Sequence, residues 1–237
     1  MSSTAALTTH PAVRGVWLLP AAAAVTSWAT FEHQPDVTSQ FADWARFVTT
    51  DKFLASHLVG SIVGQAVWIL GAAALAAVVV AKGRRVRSAV AGLVAMTLGG
   101  AGLIAGFGVA AFAQPAIGHL ELAGAAGAQE VYDDVYGIPT LVTLIGGGVL
   151  FAAATVLLAR AAAALDGVPR WAVVTFRLSG PFIGVLGIAV GALQTVGSIA
   201  ALVGTVAIAR SVHHRGATRE ARGIEASVGG GAAGLAA

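Results

Sequence analysis

Three polar side chains interrupt one of the longest apolar runs of this sequence. His57, Ser61 and Gln65 are spaced four residues apart inside the run from Phe53 to Ala81. If the run is helical, residues four apart lie on one face, so the three side chains form a stripe. Lipid offers no hydrogen-bond partner to a polar group. The stripe is therefore expected to face other helices or a cavity, while the aliphatic face meets lipid.

Two uses of this stripe are open. In the structural interpretation it joins helices, with Gln65 bonded to a neighbour such as Gln114, Thr143 or Gln194. In the functional interpretation it lines the passage of a small-solute transporter or channel-like protein, or binds a proton. The apolar runs contain no acidic residue, although many proton-coupled carriers place one in the membrane. That absence favours a structural or accessory protein whose polar and glycine-rich faces pack within the bundle or against a partner.

A second constellation pairs His57 with His119. They come from the ends of two neighbouring antiparallel spans and are expected at a similar depth near the outer face. Two imidazoles could hold a haem or, together with His33, Glu121 or Asp133, a divalent metal ion. The chain has no cysteine, which excludes thiolate ligands and disulfides. We assign no cofactor from the sequence and no catalytic residue, and keep this histidine site as an alternative.

A third cluster precedes the fourth apolar run. In a helix, Glu130, Asp133 and Asp134 share one face, and Tyr132 and Tyr136 share another. Tyrosines are typical of the headgroup region and acidic residues of the adjoining water, which predicts an interfacial collar. Clustered carboxylates also attract cations, so a calcium site or a site for a cationic substrate is the alternative.

The composition places the protein in a lipid bilayer. Hydrophobic residues make up 57% of the 237 residues, charged residues only 11%, and the mean hydropathy is +0.83. Soluble domains carry about 25% charged residues. The net charge of +3 comes from residues beside the apolar runs, which is typical of cytoplasmic loops and does not indicate nucleic-acid binding. The sequence therefore predicts an all-α, polytopic integral membrane protein, with a membrane-protein partner or a homo-oligomer possible.

Hydropathy predicts six transmembrane helices within residues 13–210, at about 13–31, 53–81, 89–113, 138–159, 171–190 and 192–209. A short interfacial helix is expected at about 39–49 and a long outer loop at 116–137. Residues 1–12 form an N-terminal tail, and residues 211–237 are expected to be a disordered C-terminal tail. The alternative for the first run is a secretory signal that is cleaved.

Charge sets the orientation. The basic turn Lys82–Arg87 follows the run that carries the stripe, and basic residues mark cytoplasmic loops. With this turn inside, a single final span would place Arg210 and the basic tail outside. Dividing the last apolar stretch near residues 191–195 into two helices keeps them inside. The prediction is six spans in the cell (plasma or inner) membrane with both termini cytoplasmic.

Overall fold

The computed structural model describes the backbone of residues 9–31, 34–187 and 190–233, and the side chains of these ranges between residues 11 and 214. Within these ranges the chain is helical and contains no β-strand. The helices are α1 (Thr9–Gly15), α2 (Leu18–Thr30), α3 (Phe41–Val48), α4 (Asp51–Ala81), α5 (Val86–Leu122), α6 (Ala128–Val135), α7 (Ile138–Ala162), α8 (Arg170–Pro181) and α9 (Gly191–Ala233). α4 contains a π-helical segment, Ser56–Val63, and a second one, Phe182–Leu186, continues α8.

Four helices are long and apolar enough to cross a membrane: α4, α5, α7 and the Gly191–His214 part of α9. The first apolar run is divided by a turn at Val16 and Trp17. Pro20 explains this break, because it offers no N–H to the carbonyl of Val16. Pro181 similarly ends regular helix in α8, and the chain then continues through the π-helical segment. Two of the six expected spans are therefore interrupted at a proline.

A side-chain cap and a glycine define the two ends of helix α4. The Thr50 side chain caps it by accepting a hydrogen bond from the backbone N–H of Phe53 at 3.2 Å. At its other end Gly83 adopts a φ of +65°, which reverses the chain without the steric penalty of a side chain. The basic turn follows directly, and α5 runs back antiparallel to α4.

Helix α5 is longer than the sequence predicts. It passes through Pro115 and ends at Leu122, so residues 116–122 are helical and not part of a loop. A single proline removes one helical hydrogen bond, and the residues beyond it, such as Leu120 and Leu122, are good helix formers. The predicted loop at 116–137 also contains α6. His119 consequently lies on a helix, and the loop expectation was wrong for it.

The end of the chain also differs from the expectation. Disorder was predicted from Ser211, but the backbone of α9 stays helical to Ala233. Alanine, arginine and glutamate recur between residues 217 and 226, and all three favour helix. The last apolar stretch forms two helices, α8 and α9, that pack against each other and meet between residues 186 and 191.

The two ends of the bundle are built differently. We call the end with the turn Lys82–Arg87 the basic end, and the other end, covered by α3 and α6, the capped end. Near the basic end the long helices enclose a continuous core that includes Leu75, Met96, Leu158, Phe176 and Ile208. At the capped end a separate cluster joins α3 and α6 to the start of α4 and the end of α5, through Trp44, Val48, Phe53, Ile117 and Ala128.

Glycines bring α5 and α7 into direct contact. A methyl group placed on Gly99 would lie 2.7 Å from the backbone nitrogen of Phe151, and one on Gly102 would lie 3.3 Å from Cα of Gly147. Such close backbone approach is typical of helices that pack within membranes. The glycine-rich faces of these two helices are therefore used inside the bundle.

Candidate functional site

A cavity of about 680 Å³ lies between the helices toward the capped end. Its volume is in the range of about 300–1,000 Å³ that is usual for small-molecule sites. Its walls come from α2, α4, α5, α7, the second π-helical segment and the start of α9. Near the capped end its rim includes the exposed residues Phe31, Leu141, Gly191 and Ala192, so the cavity is open there. Toward the basic end it stops at Trp68, Leu103 and Phe151.

The stripe of α4 lines this cavity. His57, Ser61 and Gln65 all border it, as do the small residue Gly60 and the ring of Trp68. The opposite face of α4 is exposed, with Val59 at 48% and Leu70 at 57% exposure. The helical wheel thus predicts correctly which face of α4 points into the bundle. Trp68 is fixed by a hydrogen bond from its Nε1 to Oγ1 of Thr26 at 3.2 Å.

Both π-helical segments in the described part of the chain border the cavity. The first contributes Ser56, His57, Gly60 and Ser61, and the second contributes Ile183 and Gly184. π-Helical turns are rare and occur frequently at functional sites. Nothing in the apolar periodicity of the sequence indicates this local geometry.

Most buried polar side chains of the bundle have partners. The buried hydroxyls each donate to a backbone carbonyl three or four residues earlier, at 2.7–2.9 Å: Ser27, Ser56, Thr155, Ser179, Ser198 and Thr205. Buried Gln114 accepts from Nε2 of Gln34 at 3.1 Å and donates from its own Nε2 to the Tyr136 hydroxyl at 2.5 Å. These groups need no ligand, because the protein itself satisfies them.

Gln65 is less well satisfied than these side chains, and at the capped end the buried Nε1 of Trp44 also has no partner within the described residues. Gln65 is only 5% exposed, and its Nε2 makes a weak contact with Sδ of Met96 at 3.9 Å. Within the described residues its Oε1 accepts no hydrogen bond, and the side chains of Ser61 and Gln194 make none. All three line the cavity. The expected bonds from Gln65 to Gln114, Thr143 or Gln194 are not formed: Gln114 is bonded to Gln34 and Tyr136, and Thr143 to the Pro139 carbonyl.

His57 and Tyr136 are the titratable groups at the cavity. Nδ1 of His57 lies 3.1 Å from the carbonyl oxygen of Phe53, so we assign a proton to Nδ1 that is donated to this oxygen. Burial raises the pKa of Tyr136 well above its usual value, so this phenol is neutral at physiological pH. Among the described lining residues there is no Asp, Glu, Lys or Arg. The described lining therefore offers hydrogen-bonding groups and no carboxylate, ammonium or guanidinium group as a counter-ion.

The described residues of the predicted histidine site do not all line the cavity. His57 lines the cavity, whereas His119 and Asp133 are exposed and, like the half-buried Glu121, are not among the residues that line it. His33 lies outside the described residues. Within the described part of the chain, no three His, Asp or Glu side chains are grouped so that they could hold a metal ion. Haem or metal binding by this set remains a prediction from the sequence.

The residues of the predicted acidic and tyrosine cluster also lie in different environments. Glu130, Asp133 and Asp134 are exposed on α6. Tyr132 packs edge-on against Trp44, with ring centroids 5.1 Å apart, and Tyr136 borders the cavity. The sequence indicated the tyrosines only as headgroup residues. It also missed Gln34 and Tyr136 as partners of Gln114, since their contact depends on how three distant segments meet.

These features define a class: an all-helical protein with four helices long and apolar enough to cross a membrane, and with a cavity inside the bundle that is lined by both apolar and polar side chains. Comparison with protein-family models, with curated proteins and with solved structures found no significant match for this chain. The functional argument therefore rests on the cavity.

Proposed function

We propose that this protein is a multi-pass membrane protein that binds an uncharged small solute in its cavity, as a small-solute carrier does in its outward-open state. The observation that carries the proposal is the group Ser61, Gln65 and Gln194, which line the cavity and whose only hydrogen-bond contact with the described residues is the weak one from Gln65 Nε2 to Met96 Sδ. Unpaired polar groups in a water-poor interior cost free energy. A solute or water in the cavity would remove that cost.

The two halves of the bundle support a carrier more than an open channel. The cavity ends at Trp68 and Phe151, and beyond them the core near the basic end is filled by side chains such as Leu75 and Leu158. A channel needs a continuous path, whereas a carrier opens to one side at a time. We therefore propose that solute enters at the capped end and that the packed half closes the other side.

We also propose six spans in the cell membrane, with the capped end outside and both termini cytoplasmic. α1 and α2 together cover residues 9–30, about 33 Å of helix, and α8 with its π-helical segment covers 170–186, about 25 Å. The basic end carries Lys82, Arg84, Arg85 and Arg87, which favours the cytoplasmic side. Export of a reporter fused after Arg222 would contradict this orientation.

A cysteine-accessibility experiment tests the cavity, and the absence of native cysteine makes it direct. Ala110 on α5 lines the cavity, whereas Ala105 on the same helix is exposed on the opposite side and would face lipid. A charged methanethiosulfonate added to intact cells should modify Ala110→Cys and leave Ala105→Cys unmodified, because the charged reagent reacts only where water reaches. If Ala110→Cys is inert in a correctly folded protein, the outward-open cavity is wrong.

The second candidate is the accessory role favoured by the sequence. The contacts of Gly99 and Gly102 with α7 support a purely structural use of the glycine-rich faces. In that case the polar stripe would serve packing, and an unchanged fold together with an unchanged cellular phenotype in His57→Ala would count against solute binding. The two candidates differ in the cavity, which only the solute-binding function requires.

A further inference from the structure

We propose that the bound solute is an uncharged molecule with an apolar body and an N–H or O–H donor, and that this donor binds Oε1 of Gln65. This inference rests on the proposed function and specifies its ligand. Gln65 carries the carboxamide of the stripe, and its Nε2 is directed at Sδ of Met96. The oxygen is the remaining part of the group, so a ligand satisfies Gln65 by donating a hydrogen bond to it.

The cavity side chains with unused hydrogen-bonding capacity form one part of its wall. Ser61 and Gln65 come from α4 about one turn apart, and Gln194 comes from the start of α9. Ser61 and Gln194 can each donate and accept, whereas the free atom of Gln65 only accepts. A ligand edge with a donor at the level of Gln65 and an acceptor nearer to Ser61 therefore matches this wall.

A second part of the wall is apolar. Leu103 and Phe107 from α5, Leu144 and Phe151 from α7, and Ile183 from the second π-helical segment contribute it. Phe151 is held edge-on to Trp68, with ring centroids 5.7 Å apart, so aromatic rings form the closed end of the cavity. A wall of this kind favours a ring or a short hydrocarbon body through dispersion and loss of water contact.

The lining of the cavity disfavours a charged ligand. A charged ligand would lose hydration in the cavity, and the described lining offers no Asp, Glu, Lys or Arg to compensate it. A molecule that only accepts hydrogen bonds, such as a quinone or an ester, would leave Oε1 of Gln65 unpaired. The structure therefore favours uncharged alcohols, amides and N–H heterocycles.

Four probes with one ring system separate these classes: indole, 1-methylindole, indole-3-acetate and tryptamine. They are, in order, an uncharged donor, its methylated form without the donor, an anion and a cation. The measurement is the rate at which a thiol reagent modifies Ala110→Cys in the purified full chain in detergent micelles. We expect indole to slow the reaction, with an apparent affinity about three- to tenfold higher than that of 1-methylindole, the value of one hydrogen bond.

A second variant assigns the effect to Gln65. Gln65→Met keeps the length of the side chain and removes its oxygen, so in that background indole and 1-methylindole should protect equally. Equal protection by the two in the Ala110→Cys protein, or better protection by a charged probe, would overturn the inference. So would a reactive Ala110→Cys that no probe protects, although the open cavity would then stand. An unreactive cysteine would instead refute the proposed function.

Discussion

From the basic end to the level of Met96, the side chains of neighbouring helices pack tightly against one another, and we call this the packed half. From Gln65 toward the capped end, in the open half, the helices separate around a cavity. In the packed half, hydroxyls such as those of Thr155 and Thr205 bond back to their own helices. In the open half, Ser61 and Gln65 find no such partner within the described residues. Packing alone explains the packed half, but it gives Ser61 and Gln65 in the open half no role.

The helices of the two halves also differ in regularity. α4 is regular α-helix from Gly64 to Ala81 and π-helical only beside the cavity, from Ser56 to Val63. α8 changes in the same way, from regular helix to the π-helical segment Phe182–Leu186. Departures from ideal geometry cost stability and tend to persist where function requires them. The comparison therefore supports the proposal that the open half binds the solute and the packed half provides stability.

The largest expected effect comes from truncating a leucine in each half. Leu158 is fully buried in the packed core, whereas Leu103 borders the cavity. Leu158→Ala would create a new void and should lower the free energy of unfolding by about 2–5 kcal/mol. Leu103→Ala only enlarges an existing space, so its cost should be about 2 kcal/mol or less. Unfolding in mixed detergent micelles measures both, and equal losses would remove the distinction between the halves.

An added methyl group tests how the cavity wall is held. Gly60 lies in the first π-helical segment, and a Cβ there would collide with Cβ of Ala29 on α2. Gly60→Ala should therefore destabilise the protein by about 1–3 kcal/mol, because neither backbone can move freely. Gly108→Ala on α5 is the matched control, since nothing lies within 4 Å of its added methyl group. It should be neutral or slightly stabilising, and a similar loss at both positions would contradict the packing described here.

The third prediction contrasts the two buried glutamines. Gln114→Met removes the partners of Gln34 and Tyr136 and should cost about 1–3 kcal/mol. Gln65→Met removes a group with only a weak sulfur contact, so it should leave stability unchanged or raise it slightly. The same unfolding measurement compares them. A large loss on Gln65→Met would mean that Gln65 is structural, as the packing interpretation of the stripe requires.

The sequence predicts the parts of this molecule that depend on local pattern. Hydropathy indicates α4, α5, α7 and the apolar part of α9, and the wheel of α4 indicates its inward face, because both follow from residues close in sequence. The extension of α5 past Pro115 was missed because a single proline is only a probable helix end. The break at Val16 was missed because hydropathy alone extends the first span across Pro20 without interruption.

The cavity itself depends on contacts that a single sequence does not specify. Whether the side chain of Gln65 can bond to Gln114 or Gln194 depends on the register of α4 against α5 and α9. A shift of about one residue would change the outcome. Close glycine contacts, such as that of Gly100 on α5 with Ile69 on α4, and the π-helical turn of α4 contribute to that register. The stripe was therefore visible in the sequence, but its lack of partners was not.

The smallest expected effect lies at the basic end, where polar contacts are exposed. Nη1 of Arg84 lies 3.1 Å from Oδ1 of Asp166, and both side chains are about 60% exposed. An ion pair in water contributes about 0–1 kcal/mol, because the solvent screens it and two flexible side chains lose freedom. Asp166→Asn should thus lower the free energy of unfolding by less than about 1 kcal/mol, with a smaller difference at high salt. A salt-independent loss as large as that of Gln114→Met would show that this contact is structural, and the contrast between exposed and buried polar groups would fail.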